Sequence, residues 1–205
     1  LVFKDTIEGL VAGIRLTSNE MVHLGDWITV PGTPVDGNVV DISLTTVKVQ
    51  QFDKTYTTIS PLTLVNGTFK NWKGMQESGM RQVVKKIYFD VRSIRLLTDE
   101  TRQNLTNKKM VSQKDMEGEV VNIGLFRHYI ETYLRKREDV NKSATLLVHQ
   151  LEATQNGLPI EIIFFLNTTN GIEFENKISD ILEHVYAYVN EFGLQIYEGL
   201  SVTNK

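Results

Sequence analysis

A mixed α and β fold is predicted, made of an N-terminal amphipathic helix, a small strongly bent antiparallel sheet or β-barrel, and an α+β domain of ferredoxin-like order. Three successive patterns predict it. Apolar spacing is helical from Phe3 to Leu16, and it turns into short alternating runs between turn residues from Trp27 to Trp72. From Gln82 onward it settles into a series of strand, helix, strand, strand, helix and strand.

In the first element Phe3, Ile7, Leu10, Val11 and Ile14 fall on one helical face. Gly9, Ala12 and Gly13 lie among them, with Gly9 and Gly13 at small-xxx-small spacing. Each glycine costs such a helix roughly 1 kcal/mol relative to alanine. Close backbone packing or a hinge role would offset that cost.

The second element is a string of short strands. Trp27 to Val30 stops at Pro31-Gly32, and Asp36-Gly37 opens a run from Asn38 to Ile42. Thr45, Val47 and Val49 face one way, while Thr46, Lys48 and Gln50 face the other. Asp53-Lys54 separates that run from Thr55 to Ser60, Pro61 ends it, and Asn66-Gly67 is a further turn signal. So few residues build only a small core, and such a module gains stability by packing on a neighbour or by oligomerising. The boundary with the next domain is predicted between Asn71 and Met80.

In the third element Val83 to Phe89 reads as a strand, with Lys85 sharing the face of Val83 and Ile87. Asp99 to Met116 is polar, a short helix followed by a surface excursion. Leu125 to Arg137 is helical; Ser143 to Leu151 and Leu158 to Asn167 are strands around Asn156-Gly157. Phe174 to Phe192 is a helix stopped by Gly193, and Leu194 to Tyr197 is a last short strand.

Composition narrows the function. The chain has 205 residues, with 41% hydrophobic and 23% charged, which is ordinary for a folded domain or two. A net charge of -3 argues against a nucleic-acid partner bound by neutralising many phosphates. Without cysteine there is no disulfide framework and no thiolate chemistry. The densest apolar stretch, Ile160 to Leu166, is broken by Glu161 and falls far short of the ~20 residues a transmembrane helix needs. Leu1, Val2 and Phe3 begin in mid-pattern with no initiating methionine, which reads as a truncation.

Chemistry is sparse. His23, His128, His149 and His184 have no partner at a metal-site spacing, and no carboxylate pair stands out as acid and base. No enzyme class, metal or cofactor is therefore assigned. Of two basic groups, Arg135, Lys136 and Arg137 end a helix and meet its dipole. Arg81, Lys85 and Lys86 are a solvated strand edge on the plain reading and a candidate surface for passing anions on the sharper one. Trp27 and Trp72 are expected as buried anchors of the small barrel.

Ala12-Gly13-Ile14, then Gly25-Asp26-Trp27-Ile28, then the run from Asp36-Gly37 through Thr45-Thr46 to Val49, resemble in sequence and order the small-conductance mechanosensitive channel (MscS-like) family. Asn122-Ile123-Gly124 with Phe126-Arg127, Leu147 to Leu151, Gly157-Leu158-Pro159 with Glu161-Ile162, and Phe192-Gly193-Leu194 resemble its miniconductance-type subgroup. The similarity covers nearly the whole chain. Three positions depart from the family pattern: Leu62 stands for an asparagine, His149 for an arginine, and Asp53-Lys54 for an Asp-Gly turn.

The resemblance implies the cytoplasmic portion of a bacterial inner-membrane channel subunit. Residues 1–22 would be the end of a pore helix and an interfacial amphipathic helix, 23–72 an Sm-like β-domain, and 80–200 a ferredoxin-like vestibule domain. Phe3, Ile7, Gly9, Leu10, Gly13 and Ile14 would form a tension-coupling helix, and Gly25, Asp26, Trp27, Gly37 and Thr46 the structural motif of the β-domain. Arg81, Lys85 and Lys86 would supply vestibule electrostatics. Implied partners are further copies of the chain, heptameric in the full-length channel, membrane lipid, and permeating ions and small solutes released in hypo-osmotic shock. The competing reading is a soluble Sm-like plus ferredoxin-like module for RNA or a small effector, which the net charge and the missing aromatic RNA-binding signature count against.

Overall fold

In the computed structural model, which describes residues 2–198 apart from the side chains of Val2, Phe3 and Asp5, the chain divides into two units between Ser78 and Gly79. The first unit runs α1 (Val2–Ser18), β1 (Trp27–Thr29), β2 (Asp36–Ile42), β3 (Val47–Gln51), β4 (Tyr56–Ile59), α2 (Pro61–Asn66), β5 (Lys70–Asn71) and α3 (Lys73–Ser78). Its five strands pair antiparallel in the order β4-β3-β2-β1-β5, so β4 and β5 are the edges.

Alternation sends Val39, Val47 and Val49 inward, where they meet Leu16 of α1, Ile28 and Leu64 in a small core. Thr45, expected to continue the inward row, is exposed in the turn ahead of β3. Glycine is required at position 37, where an added Cβ would lie 2.1 Å from the Gln50 carbonyl oxygen of β3. The register shifts between Val39 and Asp41, a bulge that leaves Val40 exposed.

The six-residue helices α2 and α3 were not legible as helices. Ser60 caps α2 by accepting from the Leu62 N–H at 3.2 Å, and Pro61 follows with its φ already helical. Leu62 thus sits in the first turn of a helix. In the Asp53-Lys54 turn, Lys54 takes the left-handed φ of +73° that glycine would adopt without strain. Asp53 steadies the turn by accepting from both the amide and the hydroxyl of Thr55.

The second unit contains β6 (Arg81–Phe89), α4 (Asp99–Asn107), α5 (Asn122–Lys136), β7 (Leu147–Gln150), β8 (Leu158–Leu166) and α6 (Gly171–Tyr188). Its sheet has the order β6-β8-β7, all antiparallel. The last expected strand, Leu194 to Tyr197, is reduced to a bridge between Phe89 and Ile196 with two flanking backbone bonds, Asp90 to Gln195 and Tyr197 to Tyr88. That segment lies beside β6 and completes the split βαβ order of a ferredoxin-like domain.

Val83, Ile87 and Phe89 of β6 and Ile160, Ile162 and Phe164 of β8 point into a core shared with Phe126, Ile130 and Leu134 of α5 and Phe174, Ile178, Ile181 and Val185 of α6. The strand expected from Ser143 begins only at Leu147, because the Asn141 side chain accepts from the Ser143 and Ala144 amides and holds them in a turn. After α6 a 3-10 turn, Val189–Phe192, ends at Gly193 with φ +65°, the stop that the sequence predicts.

At the start of α5 the side chain of Asn122 is almost fully buried. Its amide donates to the carbonyls of Ser93 (2.9 Å) and Phe192 (3.2 Å), and its carbonyl accepts from the Arg95 and Ile123 amides. One polar side chain thereby joins three separate segments of the second unit.

Candidate functional site

Helix α1 has two faces. Leu16 and Ala12 are buried against the first core, together with the backbone of Gly13. The predicted apolar stripe points elsewhere: Ile7 (58% exposed), Leu10, Val11 and Ile14 (51%) are exposed in the single chain. The side chain of Phe3 lies outside the described residues. Four neighbouring aliphatic side chains left in water on one helix are a patch that needs a cover.

The two glycines of α1 differ physically. A Cβ at Gly13 would lie 2.4 Å from the Leu44 carbonyl oxygen, so helix and turn touch backbone to backbone there. A Cβ at Gly9 would meet nothing within 4 Å. Close approach inside the chain therefore explains Gly13 and leaves Gly9 unaccounted for.

Leu44 belongs to the turn between β2 and β3. Ser43 and Thr46 close it: each backbone amide is satisfied across the turn, Ser43 N–H donating to the Thr46 carbonyl (2.8 Å) and Thr46 N–H to Ser43 Oγ (3.0 Å). The Ser43 hydroxyl also donates to the Thr46 carbonyl. Thr46 thus holds the turn that bears on Gly13, a link from the motif Ser43-Leu44-Thr45-Thr46 to the helix.

The Gly25-Asp26-Trp27 group is a second joint. Gly25 takes φ +89° and donates to the Val39 carbonyl at 2.8 Å. The buried carboxylate of Asp26 accepts from the His23 amide (2.9 Å) and from the Asn71 side chain (2.8 Å), and Asn71 also donates to the Met21 carbonyl. This ties the connection after α1 to β1 and β5. Trp27 donates to Asp36 at 2.7 Å and stacks on Trp72 with ring centroids 4.6 Å apart. Both indoles are half-buried, a correction to the expectation of buried anchors, and they cover one another by stacking.

Arg81, Lys85 and Lys86 do not form one surface. Alternation along β6 puts Arg81 and Lys85 on the helix-covered face, Arg81 over the Phe174 ring (4.1 Å) and Lys85 beside Leu182. Lys86 projects from the opposite face and lies 3.5 Å from Glu161. Glu161 is also bonded by His149 at 2.9 Å, and that bond, with the nearby Lys86 charge, holds its carboxyl below the usual range. His149, in the place of an arginine in the family pattern, therefore sits in a cross-strand row Lys86, Glu161, His149 that sequence spacing did not reveal.

No helix among the described residues is long and apolar enough to cross a membrane, and no group of three or more His, Asp or Glu among them is placed to hold a metal ion.

Comparison with known proteins gives these features a context. Residues 5–74 match the family described as "Mechanosensitive ion channel, beta-domain". The low conductance mechanosensitive channel YnaI of Escherichia coli is 20% identical over 93% of this chain and 47% of its own length. An uncharacterized MscS family protein of Aquifex aeolicus is 26% identical over 94% of this chain and 44% of its own. The chain thus spans about half the length of the curated relatives it matches. Among solved structures, Arabidopsis thaliana MSL1 superposes with a TM-score of 0.69 at 14% identity, over 97% of this chain and 61% of that one. Helicobacter pylori MscS in its closed state superposes with a TM-score of 0.68 at 16% identity, over 100% of this chain and 68% of that one. These likenesses speak for the fold, and the β-domain match over residues 5–74 with the two relatives makes the chain similar to mechanosensitive channels of the MscS family.

Proposed function

We propose that this chain is the cytoplasmic portion of a subunit of a tension-gated channel of the bacterial inner membrane, assembled as a homo-oligomer, heptameric in the full-length protein. The subgroup we assign, from the residues quoted above, is the miniconductance type. Further apolar segments outside these 205 residues would supply the membrane spans and the lipid contact, in keeping with the half-length coverage of the relatives. Residues 1–22 act as the coupling helix, 23–72 as the β-domain and 80–200 as the vestibule domain. Ions and small solutes would leave through the assembly in hypo-osmotic shock.

The observation that carries this reading is helix α1: an exposed aliphatic stripe on one side, and on the other a glycine in backbone contact with the β2–β3 turn. Tension shifts a closed–open equilibrium only through a free-energy difference between the two states, here the membrane area gained on opening. A helix that meets its neighbours or lipid through Ile7, Leu10 and Ile14 and the sheet through Gly13 would transmit that change to the domains below. Gly9, with open space beside it in the single chain, would serve the approach of a neighbouring copy. Of the three basic candidates, Lys86 is the one we retain for vestibule electrostatics.

The expected result is a pressure-activated conductance in excised patches from cells that lack other mechanosensitive channels and express the full-length protein. Patches that stay silent up to the lytic tension, with the protein demonstrably in the membrane, would overturn the proposal.

A further inference from the structure

Residues 108–121 form a segment with its own built structure, and nothing in the channel reading uses it. Lys109 leaves α4 in the left-handed conformation (φ +52°). Ser112 and Asp115 form a reciprocal cap on the turn Gln113–Met116, and Met116 is buried in the second core. The Arg102 guanidinium reaches from α4 and donates to the carbonyls of Met116 and Gly118. The segment is thereby tied to α4, and its Asp115 faces His128 of α5.

Between them lie two adjoining cavities of about 450 and 400 Å³ that share Lys109, Met110, Tyr129, Thr132 and Lys136. Both are of a size that takes a small organic molecule. Lys108 at the rim is paired with Glu191 at 2.6 Å. Lys109 and Lys136, by contrast, have no carboxylate within ion-pair distance among the described residues. Asp115, the acidic residue in the lining, accepts from the Ser112 hydroxyl and lies 3.6 Å from His128. The lining is therefore net positive in a chain whose total charge is negative.

The far wall is aromatic. The Tyr129 hydroxyl and His184 Nε2 share a hydrogen bond of 2.8 Å, and His184 stacks on Tyr133 at 3.7 Å. Burial raises the Tyr129 hydroxyl to about 12, and burial with the Arg137 charge lowers His184, so both stay neutral near pH 7.

We propose that this cleft binds a small phosphomonoester, its dianion between Lys109 and Lys136 and its organic body along Met110 and the tyrosine wall. Ammonium groups serve phosphate as point charges, and the methionine with the ring edges offers an adaptable apolar surface. The site is independent of the tension-gating proposal, since both walls belong to the second unit.

The test is calorimetric titration of the 205-residue chain at low ionic strength with two probes, adenosine monophosphate and inorganic phosphate. Expected is saturable binding of both, tighter for the nucleotide, with a loss of about tenfold or more in Lys109→Glu/Lys136→Glu. Lys73→Glu, a single charge reversal in the first unit, should bind as the unsubstituted chain does, and circular dichroism of each variant verifies its fold. Absence of saturable binding, or binding that the double reversal leaves unchanged, overturns the proposal; equal affinity for the two probes overturns the role of the tyrosine wall.

Discussion

Gly13→Ala is expected to destabilise the first unit by roughly 1–3 kcal/mol, the range for forcing an extra methyl into a packed contact. The cause is local. The new Cβ would stand 2.4 Å from the Leu44 carbonyl oxygen, a backbone atom in a turn already closed by Ser43 and Thr46, so neither side yields by rotating a side chain. Gly9→Ala, four residues earlier on the same helix, is expected to stabilise by about 0.5–1 kcal/mol through helix propensity alone, since its Cβ meets open space. Urea unfolding followed by tryptophan fluorescence measures the difference, because both tryptophans, Trp27 and Trp72, lie in the first unit. Equal midpoints for the two variants would show that helix and turn do not meet as described.

Asn122→Ala should be costlier, by roughly 3–4 kcal/mol, and should act on the second unit. Removing the amide leaves the carbonyls of Ser93 and Phe192 and the Arg95 amide without the partner that satisfies them, at a site with no access for water. Each orphaned buried group costs about 1–3 kcal/mol. Far-UV circular dichroism during urea unfolding reports this loss, while tryptophan fluorescence, confined to the other unit, should keep its midpoint. A loss of stability of less than about 1 kcal/mol by dichroism would mean that the three segments are held together by other contacts.

How much of this could be read from the residues depended on the range of the interaction. Periodicity found α1, α5, α6 and most strands, since the 3.6 and 2.0 repeats are set locally. It missed α2 and α3, each only six residues long, where a serine cap and a few backbone bonds decide. It also could not say which face of α1 turns inward. The stripe from Ile7 to Ile14 is the more apolar face, but the fold buries the face of Ala12, Gly13 and Leu16, because small residues admit the Leu44 turn.

The candidate site was legible as a list and not as a geometry. Gly13, Thr46, Asp26 and Gly37 were each singled out, yet nothing local shows that Gly13 and the Thr46 turn meet, or that Asp26 reaches Asn71 across 45 positions. Arg81, Lys85 and Lys86 show the converse: close in sequence, they part on the two faces of a strand. The row of Lys86, Glu161 and His149 comes from strand pairing between distant segments, and only register reveals it.

We propose that the exposed side of α1 works against neighbouring copies or lipid while Gly13 holds the other side to the sheet. Gly9→Leu in the full-length protein isolates that claim, because within the chain the new side chain grows into empty space. Opening tension should be measured by pressure clamp on excised patches. A shifted threshold with the fold intact is expected; a threshold identical to that of the unsubstituted channel would overturn the coupling role of α1.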